Sequence, residues 1–111
     1  MQAEVLKGHL DLLLLATLAA GPAHGYRVVD ELRRLSAGAF DLSEGTIYPA
    51  LYRLERAGLL SSRWASAGGR RRRVYSLTRA GAAALASRRK AWSRFSQAVD
   101  SFLGGGRTWP A

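Results

Sequence analysis

Apolar residues change their spacing several times along the chain, and each change marks an element. Leu6, Leu10, Leu13, Leu14 and Leu18 form a helical stripe, with Leu12 and Leu15 on other faces. This predicts a first helix from Ala3 or His9 to Ala20, apolar nearly all round and needing cover on more than one side. Gly21-Pro22 ends it. A second helix starts near His24-Gly25-Tyr26 and packs through Val28, Leu32 and Leu35, leaving Arg27, Asp30, Arg33 and Arg34 to point elsewhere. Phe40 and Leu42 lie in the following turn as core plugs.

The third helix is the most informative. Ser43 is its expected N-cap, with Thr46 as a second candidate. Ile47, Leu51 and Leu54 fall at i, i+4 and i+7 and face inward. Thr46, Pro49, Arg53 and Arg56 then face outward, with Tyr52 beside them. Pro49 lacks an N–H, so the helix either begins at Thr46, with Pro49 in its first turn, or kinks. Gly58 suits the left-handed position that closes such a helix.

From Leu60 the period drops to two. Residues 60–65 and 72–77 read as strands, with Leu60, Ser62 and Trp64 on one face, and Arg73, Tyr75 and Leu77 on one face of the partner. Residues 67–69 form a flexible tip. Thr78 caps a last helix over 78–103. In that helix Leu85, Trp92 and Val99 recur every seven residues, and Phe95 and Phe102 take the companion positions. An amphipathic terminal helix with an aromatic seam needs a surface to cover it, which predicts dimerisation. Residues 104–111 read as a loose tail.

The predicted fold is mainly α with a small β-hairpin wing. It comprises a winged helix-turn-helix over 1–77, a C-terminal dimerisation helix over 78–103 and the tail.

Length and charge narrow the function. A chain of 111 residues holds one modest core. Hydrophobic residues make up 48% of it, which places it among globular rather than disordered chains. The formal net charge of +9 favours a polyanion, either nucleic acid or an anionic membrane surface. The basic residues cluster in Arg70-Arg71-Arg72-Arg73 and Arg88-Arg89-Lys90 rather than spreading evenly.

With no cysteine, disulfides, thiolate metal sites and cysteine nucleophiles are excluded. That fits a reducing cytoplasm, the expected location. No signal peptide is expected, since the N-terminus carries Glu4 and Lys7 and lacks a small-residue cleavage site after an apolar run, and the run 12–20 is too short to span a bilayer.

His9 and His24 are the only histidines, and no HExxH pattern or paired carboxylates suggest a catalyst. No enzyme activity, metal or cofactor is expected. His24 reads as a helix-start residue.

A groove-sized helix beside a cationic hairpin is the arrangement of a winged helix-turn-helix on duplex DNA. The candidate DNA-binding residues are Tyr26, Ser43, Thr46, Tyr48, Pro49, Tyr52, Arg53, Arg56, Arg70, Arg71, Arg72 and Arg73. Arg53 is the leading candidate for reading a guanine edge, with a phosphate contact or a plain solvated charge as its alternative. Tyr48 is either a hydroxyl at the helix start or part of the core. Strand residues alternate sides, so about two of the four wing arginines face DNA. A nonspecific architectural or RNA-binding protein, and a membrane-surface C-terminal helix, are the rival readings of the same charge.

The motifs in order are Gly21-Pro22-Ala23-His24-Gly25-Tyr26, Ser43-Glu44-Gly45-Thr46-Ile47-Tyr48-Pro49-Ala50-Leu51-Tyr52-Arg53-Leu54-Glu55, Gly58-Leu59-Leu60 and Val74-Tyr75-Ser76-Leu77-Thr78-Arg79-Ala80-Gly81. Together they resemble the PadR family of bacterial transcription regulators over about residues 10–81. The single helix after the wing is similar to that of the family's short subgroup.

The resemblance implies a dimeric winged-helix repressor of a nearby transport or stress gene, binding an inverted-repeat operator. Tyr26 resembles a family position that touches the DNA backbone, with packing under the third helix as the other option. Leu10, Leu14, Leu18, Leu85, Trp92, Phe95, Val99 and Phe102 are the expected dimer interface. Some family members of similar size hold flat aromatic compounds between interface aromatics. This marks Trp92, Phe95, Leu14 and Leu18 as candidates for a small aromatic effector.

Overall fold

The computed structural model describes Leu6 and residues 8–110. The expected helix start at Ala3, and Glu4 and Lys7, lie outside the described residues. The element order is α1 (Leu10–Ala19), β1 (Ala23–His24), α2 (Gly25–Leu35), α3 (Glu44–Arg56), β2 (Leu60–Ala67), β3 (Arg70–Leu77) and α4 (Arg79–Leu103).

Helix α1 is sunk into the protomer. Leu14 and Leu15 are fully buried, Leu18 nearly so, and Leu10, Leu12 and Leu13 pack around them. Its all-round apolarity is met by α2, α3, α4 and β3, which all touch it. Helix α2 begins where expected. The His24 imidazole accepts the Arg27 N–H at 3.2 Å and thereby caps it. Val28 and Leu32 are buried, and Leu42 plugs the core with Phe40 packed against it. Leu35 departs from expectation and is 68% exposed. It lies at the last turn of α2, on the rim of an open groove with Leu13, Ala16 and Phe40 that nothing among the described residues covers.

Helix α3 begins at Glu44, two residues before the Thr46 start that Pro49 suggested, so Pro49 lies inside the helix. Gly45, whose carbonyl loses its usual donor to Pro49, and Pro49 itself are both exposed, so the missing bond falls on the solvent side of the helix. Ser43 caps through its backbone: its carbonyl accepts from Thr46 and Ile47 at 3.0 and 3.1 Å. Its hydroxyl pairs with that of Thr46 instead of capping. Ile47, Ala50, Leu51 and Leu54 are buried, as the spacing requires. The helix closes in a Schellman motif. The Gly58 N–H reaches Glu55 O at 2.9 Å and the Leu59 N–H reaches Leu54 O at 3.0 Å, with Gly58 at φ 79°.

Strands β2 and β3 pair from Leu60–Leu77 out to Ala67–Arg70. The tip is therefore a two-residue Gly68-Gly69 turn, with φ of 58° and 78°, rather than a loose three-residue loop. Two positive φ values in succession mark the type I′ geometry that matches strand twist. β1, too short to be read from alternation, adds to the other side of β3 and gives the sheet order β1-β3-β2.

Helix α4 is capped by the Thr78 hydroxyl, which accepts the Gly81 N–H at 3.0 Å and donates to Gly58 O at 2.7 Å. Its first turns pack through Gly81 and Leu85. Beyond Leu85 only Ser96 and Val99 are even half-buried, and the helix runs out from the body, giving extents of 71 × 28 × 20 Å.

Candidate nucleic-acid interface

The outward face of α3 is narrower than the spacing alone suggested. Gly45, Pro49, Tyr52 and Arg56 recur at i, i+4, i+7 and i+11, and all four are exposed. The Arg56 guanidinium sits 5.8 Å from the Tyr52 ring centroid. The remaining candidates lie on the flanks. Tyr48 turns toward α2, where its ring closes over the Cα of Gly25. A methyl group there would strike the far end of the ring, so this glycine lets the ring rest against the α2 backbone. Burial pushes the Tyr48 phenol above its ordinary pKa.

Arg53 turns to the other flank. Its two terminal nitrogens bind both oxygens of Asp11 on α1, at 2.6 and 3.0 Å. Arg88 of α4 approaches the same carboxylate at 3.6 Å. The hydrogen bonds from Arg53 hold the Asp11 carboxyl below its usual range; burial opposes this, and the charges of Arg53 and Arg88 add to it. Asp11 has only 16% of its side chain exposed, whereas Arg53 keeps 59%. One carboxylate thus ties together α1, α3 and α4.

The wing separates its arginines by strand alternation. Arg71 and Arg73 share a face with Trp64, at 4.6 and 5.4 Å from its ring centroid. Arg73 also meets Glu55 of α3 at 3.5 Å. The Glu55 carboxylate in turn accepts the Ser62 hydroxyl. Arg70 and Arg72 lie on the opposite face. Arg72 rests against the His24 ring, 3.0 Å from Nε2, and 6.0 Å from the centre of the Tyr26 ring.

Burial, then the charges of Arg72 and Arg27, lower the His24 pKa, which favours the neutral imidazole that accepts at the α2 cap. Tyr26 is 53% exposed. The Glu44 carboxylate beside it, at the start of α3, raises its phenol pKa. Arg70, Arg72, His24, Tyr26 and Arg27 line a wide polar depression with Asp30, Glu31 and Arg34. It opens at the N-terminus of α2, where free N–H groups favour an anion.

The residues assigned to a dimer contact divide. Leu14, Leu18 and Leu85 are 0%, 2% and 7% exposed in the protomer's own core, which leaves no free surface for the dimer contact expected of all three or the effector contact expected of Leu14 and Leu18. The reason is the all-round cover of α1: the sides assigned to a second subunit are already filled. Leu10 and Val99 are half-buried. Trp92, Phe95 and Phe102 are 46%, 57% and 72% exposed.

Trp92 meets His9 edge-on at 5.3 Å and Phe95 at 5.9 Å between ring centres. These rings, with Leu12, Arg88 and Ala91, line an open groove of about 290 Å³ between α1 and α4. His9 and Leu12, which also line this groove, were not among the site residues singled out from the sequence. No helix among the described residues is long and apolar enough to cross a membrane.

A model of the PadR-like transcriptional regulators matches residues 14–87. A transcriptional regulator of Mycobacterium tuberculosis is 39% identical over 102 residues, covering 92% of this chain and 90% of its own. The crystal structure of a PadR family transcriptional regulator from Eggerthella lenta superposes with a TM-score of 0.80 at 31% identity, covering 93% of this chain and 88% of that one. A PadR-like transcriptional regulator from Bacillus cereus gives 0.82 at 27% identity, covering 94% and 100%. With the family model spanning most of the chain, this winged-helix protein belongs to the PadR-like family of transcriptional regulators, and its work is regulatory rather than enzymatic.

Proposed function

We propose that the protein is a homodimeric repressor that binds an inverted-repeat operator in duplex DNA and leaves it when a small aromatic effector binds. The observation that carries this reading is the exposed face of α3, Gly45, Pro49, Tyr52 and Arg56, flanked by Tyr26 with Arg70 and Arg72. A rod with one uncovered face enters a major groove, and cations beside it take the adjoining phosphates. Tyr52 and Arg56 are the groove-facing pair, and the Ser43 and Thr46 hydroxyls lie near the start of α3, where its N–H groups favour phosphate.

The projecting part of α4 supports the dimer. Trp92, Phe95 and Phe102 leave an aromatic seam that the described residues of its own protomer do not bury. Two copies would then set their α3 helices on successive major grooves, roughly 34–36 Å apart. Sedimentation should show a dimer, and duplexes selected from random sequence should carry a two-fold motif. A monomer with no preference among duplexes would overturn the reading.

The groove beside Trp92 is the site proposed for the effector. Planar aromatic compounds should quench tryptophan emission in the wild type and not in Trp92→Ala. Equal quenching in both proteins would move the site elsewhere, to Trp64 or Trp109.

A further inference from the structure

Arg53 stands beside the exposed face of α3, about 100° round the helix from Tyr52. Its head is nonetheless turned back onto α1. The contact is end-on: both terminal nitrogens meet both Asp11 oxygens. That is the fork a guanidinium would present to guanine O6 and N7, or to two phosphate oxygens. An aspartate that merely steadied Arg53 for DNA would take the Nε side and leave the fork open. Here the fork is occupied.

We propose that Asp11 is a positioning residue that latches Arg53 away from DNA in the free protein, and that duplex binding requires Arg53 to leave it. The proposal rests on the duplex-binding reading given above. Arg88 makes the exchange workable. It stays 3.6 Å from the Asp11 carboxylate and neutralises it when Arg53 departs. Arg88 also lines the aromatic groove between α1 and α4. An occupant that draws Arg88 off the carboxylate leaves Arg53 as its counter-ion among the described residues. The latch then tightens and DNA affinity falls, which is the direction of induction.

A double-mutant cycle tests the latch. The four proteins are wild type, Asp11→Asn, Arg53→Ala and the double variant, each checked by circular dichroism to be folded at the assay temperature. Asp11→Ser replaces Asp11→Asn if the latter is unfolded. The probes are a random-sequence duplex pool and the duplex enriched from it by the wild type.

Asp11→Asn is expected to tighten binding of the enriched duplex about tenfold when Arg53 is present, and by less than about twofold when it is absent. The small remainder is the general effect of removing one negative charge. Arg88→Ala is expected to weaken binding severalfold, again only with Arg53 present. Weaker binding by Asp11→Asn, or an equal gain in both backgrounds, overturns the latch. If the wild type binds neither probe, the duplex-binding reading fails before Asp11 is altered, and the latch falls with it.

Discussion

Gly81→Ala should destabilise the protein by about 3 kcal/mol. At this size that lowers Tm by about 12 °C. The first turn of α4 lies directly on the segment that ends α3. The Thr78 N–H donates to Leu59 O at 3.1 Å, and its hydroxyl bridges Gly58 O and the Gly81 N–H. A methyl group at Gly81 would fall on the Leu59 carbonyl oxygen and 2.7 Å from Leu77 Cδ1.

The carbonyl cannot turn aside, because Leu59 is fixed from the other direction by its N–H bond to Leu54 O in the Schellman motif. Relief therefore requires α4 to lift from the body, which uncovers Leu85 and strains the Thr78 cap. Gly25 differs, since the atoms in the way there are the far end of the Tyr48 ring, which has solvent to swing into. Gly105→Ala is the control, as it faces open space. A thermal melt in which Gly81→Ala and Gly105→Ala coincide would show that the α3–α4 junction is looser than described.

The joint substitution Arg70→Ala with Arg72→Ala should weaken DNA binding by a few tens of fold near physiological salt, about equally on operator and random duplex. The slope of log affinity against log salt should flatten by about 2, one phosphate for each arginine. The two side chains share the sheet face that carries His24 and stand beside Tyr26. Phosphate contacts supply affinity without sequence choice, so the ratio of operator to random binding should hardly move.

Arg71 and Arg73 are the natural comparison. They differ from the first pair by one residue in sequence and by a full side of the strand, and they are stacked on Trp64 or paired to Glu55. Their joint replacement should change the salt slope less. A larger change from that pair would reverse the assignment of the wing's faces.

How much of this was legible in the sequence follows from how far apart the interacting residues are. The α3 core positions, the Gly58 stop, the Thr78 cap and the alternation in the hairpin are local patterns, and the fold realises each of them. The Arg53–Asp11 pair joins residues 42 positions apart, and no periodicity carries such a contact. The same holds for the close approach at Gly25 and Gly81, where a glycine looks like a turn or start signal until the facing element is known.

Helix α1 misled in a different way. A helix apolar on every side announces that it is covered but not by what, so Leu14 and Leu18 were assigned to a partner subunit although the protomer's own core covers them. β1 was too short to alternate. The extra length of β2 and β3 was hidden because four arginines carry no hydrophobic rhythm. Their pairing is fixed instead by the two glycines at the turn.

That two-residue turn governs more than the shape of the wing. Because the ladder runs unbroken from Leu60–Leu77 to Ala67–Arg70, the inner end of the hairpin is pinned by the core while the outer end inherits its parity. One residue gained in each strand between the arginine run and the core would exchange the two sides of the run, presenting Arg71 where Arg70 and Arg72 had been. Two gained in each strand would restore the original sides on a longer arm. Lineages that extend the wing should therefore do so by an even number of residues per strand.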